Sequence, residues 1–124
     1  MKKFLYFVPA ILFYLLIFLL SSRDLGIKID SHNLDKAAHA IEFTIMAFLL
    51  SLGFFNVLKA STPTKIIVTF FLGLILAVLN EFQQYYVPRR SSDAWDVLAD
   101  ALGVACGIII YWYLEKKRKQ ALIP

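Results

Sequence analysis

Four long apolar runs, set apart by short polar stretches, constrain this chain more than any other feature. They cover Phe4 to Leu20, about Ala40 to Leu58, about Ile66 to Tyr86 and about Val97 to Leu114. A helix needs about 20 mostly apolar residues to cross the hydrocarbon core of a bilayer, and each run has that length or nearly so. The first holds no charge, and the others hold Glu42, Glu81 and Asp100. Backbone groups in lipid must be satisfied within the spanning structure, which leaves helices or a closed barrel. No run alternates in and out as a barrel strand does, and a lone eight-stranded barrel does not fit this length. The expected architecture is an all-α membrane protein: one domain over residues 1–124, a bundle of four transmembrane helices joined by loops at Ser21–Lys36, Lys59–Lys65 and Val87–Trp95.

Composition agrees. The 124 residues are 60% hydrophobic and 18% charged, against roughly 45–50% and about 25% in soluble domains. A soluble chain this short has too little interior for that apolar surface, so the surplus is expected to face lipid. The net charge of +4 does not point to nucleic acid. Its carriers flank the apolar runs, as in Lys2-Lys3 and Lys116-Lys117-Arg118-Lys119, where basic residues orient helices in the membrane. With the N-terminus inside, eight Lys and Arg lie on the inner side and five on the outer side, so both termini are expected in the cytoplasm. A basic start before an apolar run also describes a signal peptide. Leu20-Ser21-Ser22 is a poor cleavage site, and an uncleaved helix is expected. The lone Cys106 excludes an intramolecular disulfide. It falls within the stretch Gly103 to Gly107, read as a packing seam.

The polar residues carry the functional information. Asp35, Lys36, His39 and Glu42 stand at the start of the second helix. Asn80, Glu81, Gln83 and Gln84 stand at the end of the third. Arg89, Arg90, Asp93, Asp96 and Asp100 occupy the next loop and the start of the fourth. In this topology they all meet at the outer end. Positions three, four and seven apart share a helix face. That rule groups Asp35, His39, Glu42 and Met46; Gly73, Ala77, Asn80 or Glu81, and Gln84; and Asp96, Asp100, Gly103 and Gly107. Small residues four apart let helices approach closely in lipid, so the glycines are expected to turn the two aspartates inward. Taken singly, each polar residue has a plain explanation: interface snorkelling for an acid, headgroup contact for an arginine, a helix cap for Asp93. Tyr111, Trp112 and Tyr113 read as interface anchors. Ionisable residues from three helices converging on one patch point instead to a site.

Asp35-Lys36-x-x-His39-x-x-Glu42-Phe43 resembles a signature of the VanZ-like family. Glu81-x-x-Gln84-x-x-Val87-Pro88-x-Arg90, followed by Asp96, Asp100, Gly103 and Gly107, resembles its second signature, and Ser21-Ser22 after the first helix fits as well. Two positions depart: Arg89 stands where the family often has Gly, and Tyr86 where Phe is common. Of Arg89 and Arg90, the spacing to Asp96 favours Arg90 as the family's arginine. The resemblance implies a multi-pass protein of the bacterial inner membrane. The family's namesake is associated with resistance to teicoplanin, a lipoglycopeptide antibiotic acting on cell-wall precursors outside the membrane.

Two functions follow. In the first, the outer site binds a lipid-linked cell-wall precursor or a lipoglycopeptide. Arg90 and Lys36 grip phosphate or carboxylate, Asp96, Asp100 and Glu81 fix those cations, and Gln84 donates hydrogen bonds. In the second, the protein is a small hydrolase or transferase on a lipid substrate. His39 is then the general base, and Glu42 or Glu81 is the acid or the group that orients the ring. No cofactor or metal is expected. A metal version would draw on His39 with Glu42, Glu81 and Asp96, a permissive ligand set. The thin bundle leaves lipid-facing surface for a homodimer.

Overall fold

The computed structural model describes residues 2–21, 32–87 and 94–124, without the side chains of His32 and Asn33. Among them there is no strand. A short 3-10 turn, Lys2–Phe7, leads into α1 (Val8–Ser21), followed by α2 (His32–Val57), α3 (Thr62–Tyr85) and α4 (Ala94–Ala121). With the 3-10 turn counted into the first, all four are long and apolar enough to cross a membrane.

Local chemistry explains several boundaries. Pro9 has no N–H to give the carbonyl one turn back, so regular helix begins at Val8 and keeps Pro9 in its first turn, where proline is tolerated. At α3, the Ser61 hydroxyl accepts the Thr64 N–H at 3.4 Å and Pro63 follows within the first turn, a standard N-terminal cap. Two boundaries differ from the hydropathy reading. α2 starts at His32 rather than about Ala40, so Asp35 and Lys36 are helical and not loop residues. Hydropathy missed these turns because Lys36 and His39 are turned toward α4 while Leu34 and Ile41 face outward and Asp35 stays partly exposed. α4 begins at Ala94 and runs past Leu114 to Ala121. The added turns are exposed and tied by a Lys119–Glu115 ion pair at 3.1 Å, a helical i,i+4 pairing.

The core lies between α2, α3 and α4: Phe43, Met46, Ala47, Leu50, Ala77, Val104 and Ile108, with Ala10 joining from α1. Leucine, isoleucine and phenylalanine side chains of all four helices point outward, among them Leu12, Ile67, Phe71, Leu102 and Ile109. This inside-out distribution suits a lipid solvent. The tightest contact joins α2 and α4. A Cβ on Gly103 would fall on the Ala40 carbonyl oxygen, and one on Gly107 would fall on that of Thr44. Only glycine permits that approach. Hydroxyls along these helices are satisfied locally: Thr44 donates to the Ala40 carbonyl at 2.6 Å, Ser51 to Ala47 at 2.8 Å and Thr69 to Lys65 at 2.7 Å.

Two residues sit differently from expectation. Cys106 is exposed, because the seam uses Gly103 and Gly107 and turns the residue before Gly107 toward lipid. Tyr111 is buried between Phe48 and Phe55, its hydroxyl accepting from Asn56 Nδ2 at 3.2 Å. Trp112 and Tyr113 are exposed, with Lys116 and Lys117 over their rings, as interface anchors should be.

Gly103→Ala should therefore wedge α2 from α4 and cost about 1–3 kcal/mol. The expected result is a lower thermal midpoint in detergent, with Leu102→Ala, on the lipid-facing side, nearly neutral. Equal midpoints for the two variants would contradict the close contact.

Candidate functional site

The polar site forms where α1 and α3 end and α2 and α4 begin. Asp35, Lys36, His39 and Glu42 occupy the first three turns of α2. On α3, Ala77, Asn80, Glu81 and Gln84 continue the buried face that starts with Thr69 and Gly73. On α4, Asp96 and Asp100 stand one turn apart above Gly103, all buried. Six polar residues of this end, His39, Asn80, Glu81, Gln84, Asp96 and Asp100, are at most 6% exposed. The helical spacing had left Asn80 and Glu81 as alternatives, and both are inside.

Two cross-helix pairs define the geometry. Lys36 Nζ lies 3.1 Å from Asp96 Oδ1, with the carboxylate buried and the lysine partly open at the rim. His39 Nδ1 lies 3.2 Å from Asp100 Oδ1, and Nε2 on the other side of the ring lies 4.0 Å from Asp35 Oδ1. The Asp100 carboxylate thus faces the His39 ring at Nδ1, and a Glu81 oxygen lies within 4.8 Å of the pair. Neither His39 Nδ1 nor either oxygen of Asp100 makes an aligned hydrogen bond. The 3.2 Å approach is a close facing of two polar atoms, not a shared proton with good geometry.

The third helix adds amides. Gln84 Nε2 donates to Ser21 Oγ at 3.3 Å, and Gln83 Nε2 donates to the Phe18 carbonyl at 3.2 Å. These bonds fasten the end of α1 to α3. Gln84, expected to donate to a ligand, spends this N–H inside the protein. In the sequence Ser21 reads as a loop start, a poor cleavage position and part of the family resemblance, not as a partner of Gln84. Its one independent signal was a small hydroxyl residue closing an apolar run. Asn80 is fully buried, and neither its amide nitrogen nor its oxygen has a hydrogen-bond partner. Glu42 is half-buried on α2. Arg89, Arg90 and Asp93 lie outside the described residues.

Among the described residues, every Lys and Arg except Lys36 lies at the opposite end. Lys2 and Lys3 precede α1, Lys59 and Lys65 flank the turn into α3, and Lys116 to Lys119 close α4. Lys65 packs over the Phe55 ring and donates to the Phe55 carbonyl at 3.1 Å. Among the described residues the bundle is therefore polarised, with eight cations at one end and buried carboxylates, amides and an imidazole, with Lys36 at their rim, at the other.

Four helices long and apolar enough to span, with a buried ionisable cluster at one end, define a multi-pass membrane protein. The VanZ/LLP1 family model matches residues 1–115, and the chain belongs to that family. No curated protein and no solved structure matches it.

The Lys36–Asp96 pair can be tested by a double-mutant cycle. Lys36→Met removes the lysine and leaves Asp96 buried, an imbalance expected to cost about 1–3 kcal/mol. Lys36→Met with Asp96→Leu should recover more than half of that loss in unfolding experiments. Additive losses would show that the two side chains do not interact.

Proposed function

We propose that the protein acts at the outer face of a bacterial cytoplasmic membrane, with both termini in the cytoplasm. There it binds the anionic headgroup of a lipid-linked cell-envelope molecule, or a lipoglycopeptide of the teicoplanin type, and so contributes to antibiotic resistance. The observation that carries this reading is the burial of His39, Asn80, Glu81, Gln84, Asp96 and Asp100 at one end of spanning helices. Ionisable groups in such segments are costly and usually mark function. The excess of cations at the other end supports an inside position for that end by the positive-inside rule. Lys36, held by Asp96 at the rim, is a preset anion contact. Arg90, favoured by the family spacing, supplies a fork suited to phosphate or carboxylate. Asp100 and Glu81 fix the surroundings of these cations. Two copies would meet through lipid-facing surfaces in a homodimer.

One observation favours a second reading. The 3.2 Å approach of Asp100 to His39 Nδ1, with Asp35 across the ring, resembles a carboxylate orienting a general base. A small hydrolase or transferase would use His39 in that role on a lipid substrate.

Topology and binding test the proposal together. In a Cys106→Ala background, Ser92→Cys should react with a membrane-impermeant maleimide on intact cells and Gln120→Cys should not. The reverse pattern would end the cell-envelope reading. In nanodiscs, Arg90→Ala and Lys36→Ala should each weaken polyprenyl phosphate binding at least tenfold, while His39→Gln is mild. If His39→Gln abolishes function with binding intact, the enzyme reading replaces the binding one.

A further inference from the structure

Ligand-capable atoms of His39, Glu81 and Asp100, all buried, lie within 4.8 Å of one another. They come from three different helices, α2, α3 and α4. A second set, Asp35, His39 and Asp96, meets the same limit, but Asp96 is already engaged by Lys36 at 3.1 Å. The first set has no such competitor at Asp100, whose carboxylate is fully buried and makes no aligned hydrogen bond.

We propose that His39, Glu81 and Asp100 form a binding site for a divalent first-row transition-metal ion such as zinc or manganese. The donor set differs from the one expected from sequence: Asp100 takes the place of Asp96, and Glu42 is not part of it.

Three observations support the site. First, His39 Nδ1 and Asp100 Oδ1 approach to 3.2 Å without hydrogen-bond alignment. That is the relation of two ligands that present lone pairs to one ion, since metal–ligand bonds of about 2.0–2.2 Å put neighbouring donors about 3 Å apart. Second, the Asp35 carboxylate lies 4.0 Å from His39 Nε2, outside hydrogen-bond distance but on the side of the ring turned away from Asp100. A metal-bound histidine commonly gives its other N–H to a carboxylate, which fixes the tautomer and raises ligand basicity. Third, Asn80 adjoins Glu81 on the buried face of α3, and its amide is fully buried without a partner. Its oxygen is a further hard donor on the same buried helix face as Glu81. One imidazole with two carboxylates is a mixed nitrogen and oxygen set, suited to zinc or manganese rather than to soft copper(I). Three protein ligands leave room for water or an oxygen of an anionic headgroup. The site does not depend on the headgroup reading, because the ion would bind whether or not a lipid does.

The test uses the full chain, purified without a histidine tag, stripped with chelator and returned to detergent or nanodiscs. Zinc and manganese are titrated separately, with metal content measured by mass spectrometry and thermal midpoint read in parallel. The expected result is saturable uptake of about one zinc or manganese ion per chain and a raised midpoint. Asp100→Asn and Glu81→Gln should each weaken uptake at least tenfold, and His39→Cys, which keeps a zinc ligand, should retain more zinc than His39→Gln. Should the carboxylate variants fail to accumulate, zinc-edge absorption on the wild-type protein decides. One imidazole nitrogen with oxygen neighbours at about 2.0–2.2 Å supports the site, and sulfur or several imidazoles overturn it. Absence of saturable uptake of either ion by the wild-type chain, or uptake unchanged in Asp100→Asn, overturns it as well. Headgroup binding measured with and without chelator keeps failure of this proposal distinct from failure of the binding reading.

Discussion

The polar site depends on how closely α2 and α4 approach. The two helices run parallel, and their contacts follow in register: Lys36 with Asp96, His39 with Asp100, Ala40 with Gly103, Thr44 with Gly107 and Phe48 with Tyr111. The glycine contacts set the separation and the polar pairs inherit it. A side chain at Gly103 would displace the Ala40 carbonyl, the residue next to His39. A slip of one residue would rotate α4 by about 100° relative to its partner and carry Asp100 toward lipid. Packing and site are therefore one feature, because the seam that lets two helices adhere in lipid also fixes the His39–Asp100 distance.

Backbone electrostatics assist at this end. Asp35 and Asp96 occupy the first turns of α2 and α4, where unpaired N–H groups and the helix dipole favour negative charge. Asp100 lies a full turn deeper and gains less, so its charge needs a local counterpart. α3 arrives with the opposite direction and presents its C-terminal half. The buried face there is built largely of amides, Asn80 and Gln84, which suits the carbonyl-rich end of a helix better than acids would. Glu81 is the exception. A carboxylate near a helix C-terminal end gains nothing from the dipole, and so its placement speaks for a cationic neighbour and not for helix stability.

Much of this was legible from residue spacing. Asp96, Asp100, Gly103 and Gly107 fall on one helical face, and the structure buries all four. Gly73, Ala77, Asn80, Glu81 and Gln84 trace the inner face of α3 in the same way. The start of α2 was not legible from hydropathy, because its first turns carry polar groups inward and apolar ones outward, which averages to a loop-like value. Nor was the facing of His39 with Asp100. Spacing within a helix says which side chains share a face, but the pairing across helices depends on register, and that is set by the Gly103 and Gly107 contacts. Cys106 and Tyr111 went astray for a related reason. Within a short stretch of α4 adjacent residues point about 100° apart, so a seam defined by two glycines says little about the residues between or beyond them until the partner helix is in place.

The way this chain holds its helices together elsewhere bears on what the polar end is for. Away from the polar end, adhesion between α2 and α4 comes from glycine contacts and aromatic edges, with Asn56 and Tyr111 providing a neutral link near the end of α2, and hydroxyls such as that of Ser51 are satisfied within their own helix. None of these leaves a charge in the low-dielectric interior. Helix association in lipid works well with such neutral contacts, and replacing a buried ion pair by well-packed apolar residues is often neutral or stabilising. A bundle that needed only adhesion at the α2–α4 entrance could have continued the same small-residue seam by one more turn. Instead that turn carries His39 against Asp100, and the turn above carries Lys36 against Asp96. Ionisable groups stand there in place of neutral packing, so adhesion between helices does not by itself account for the residues at this end.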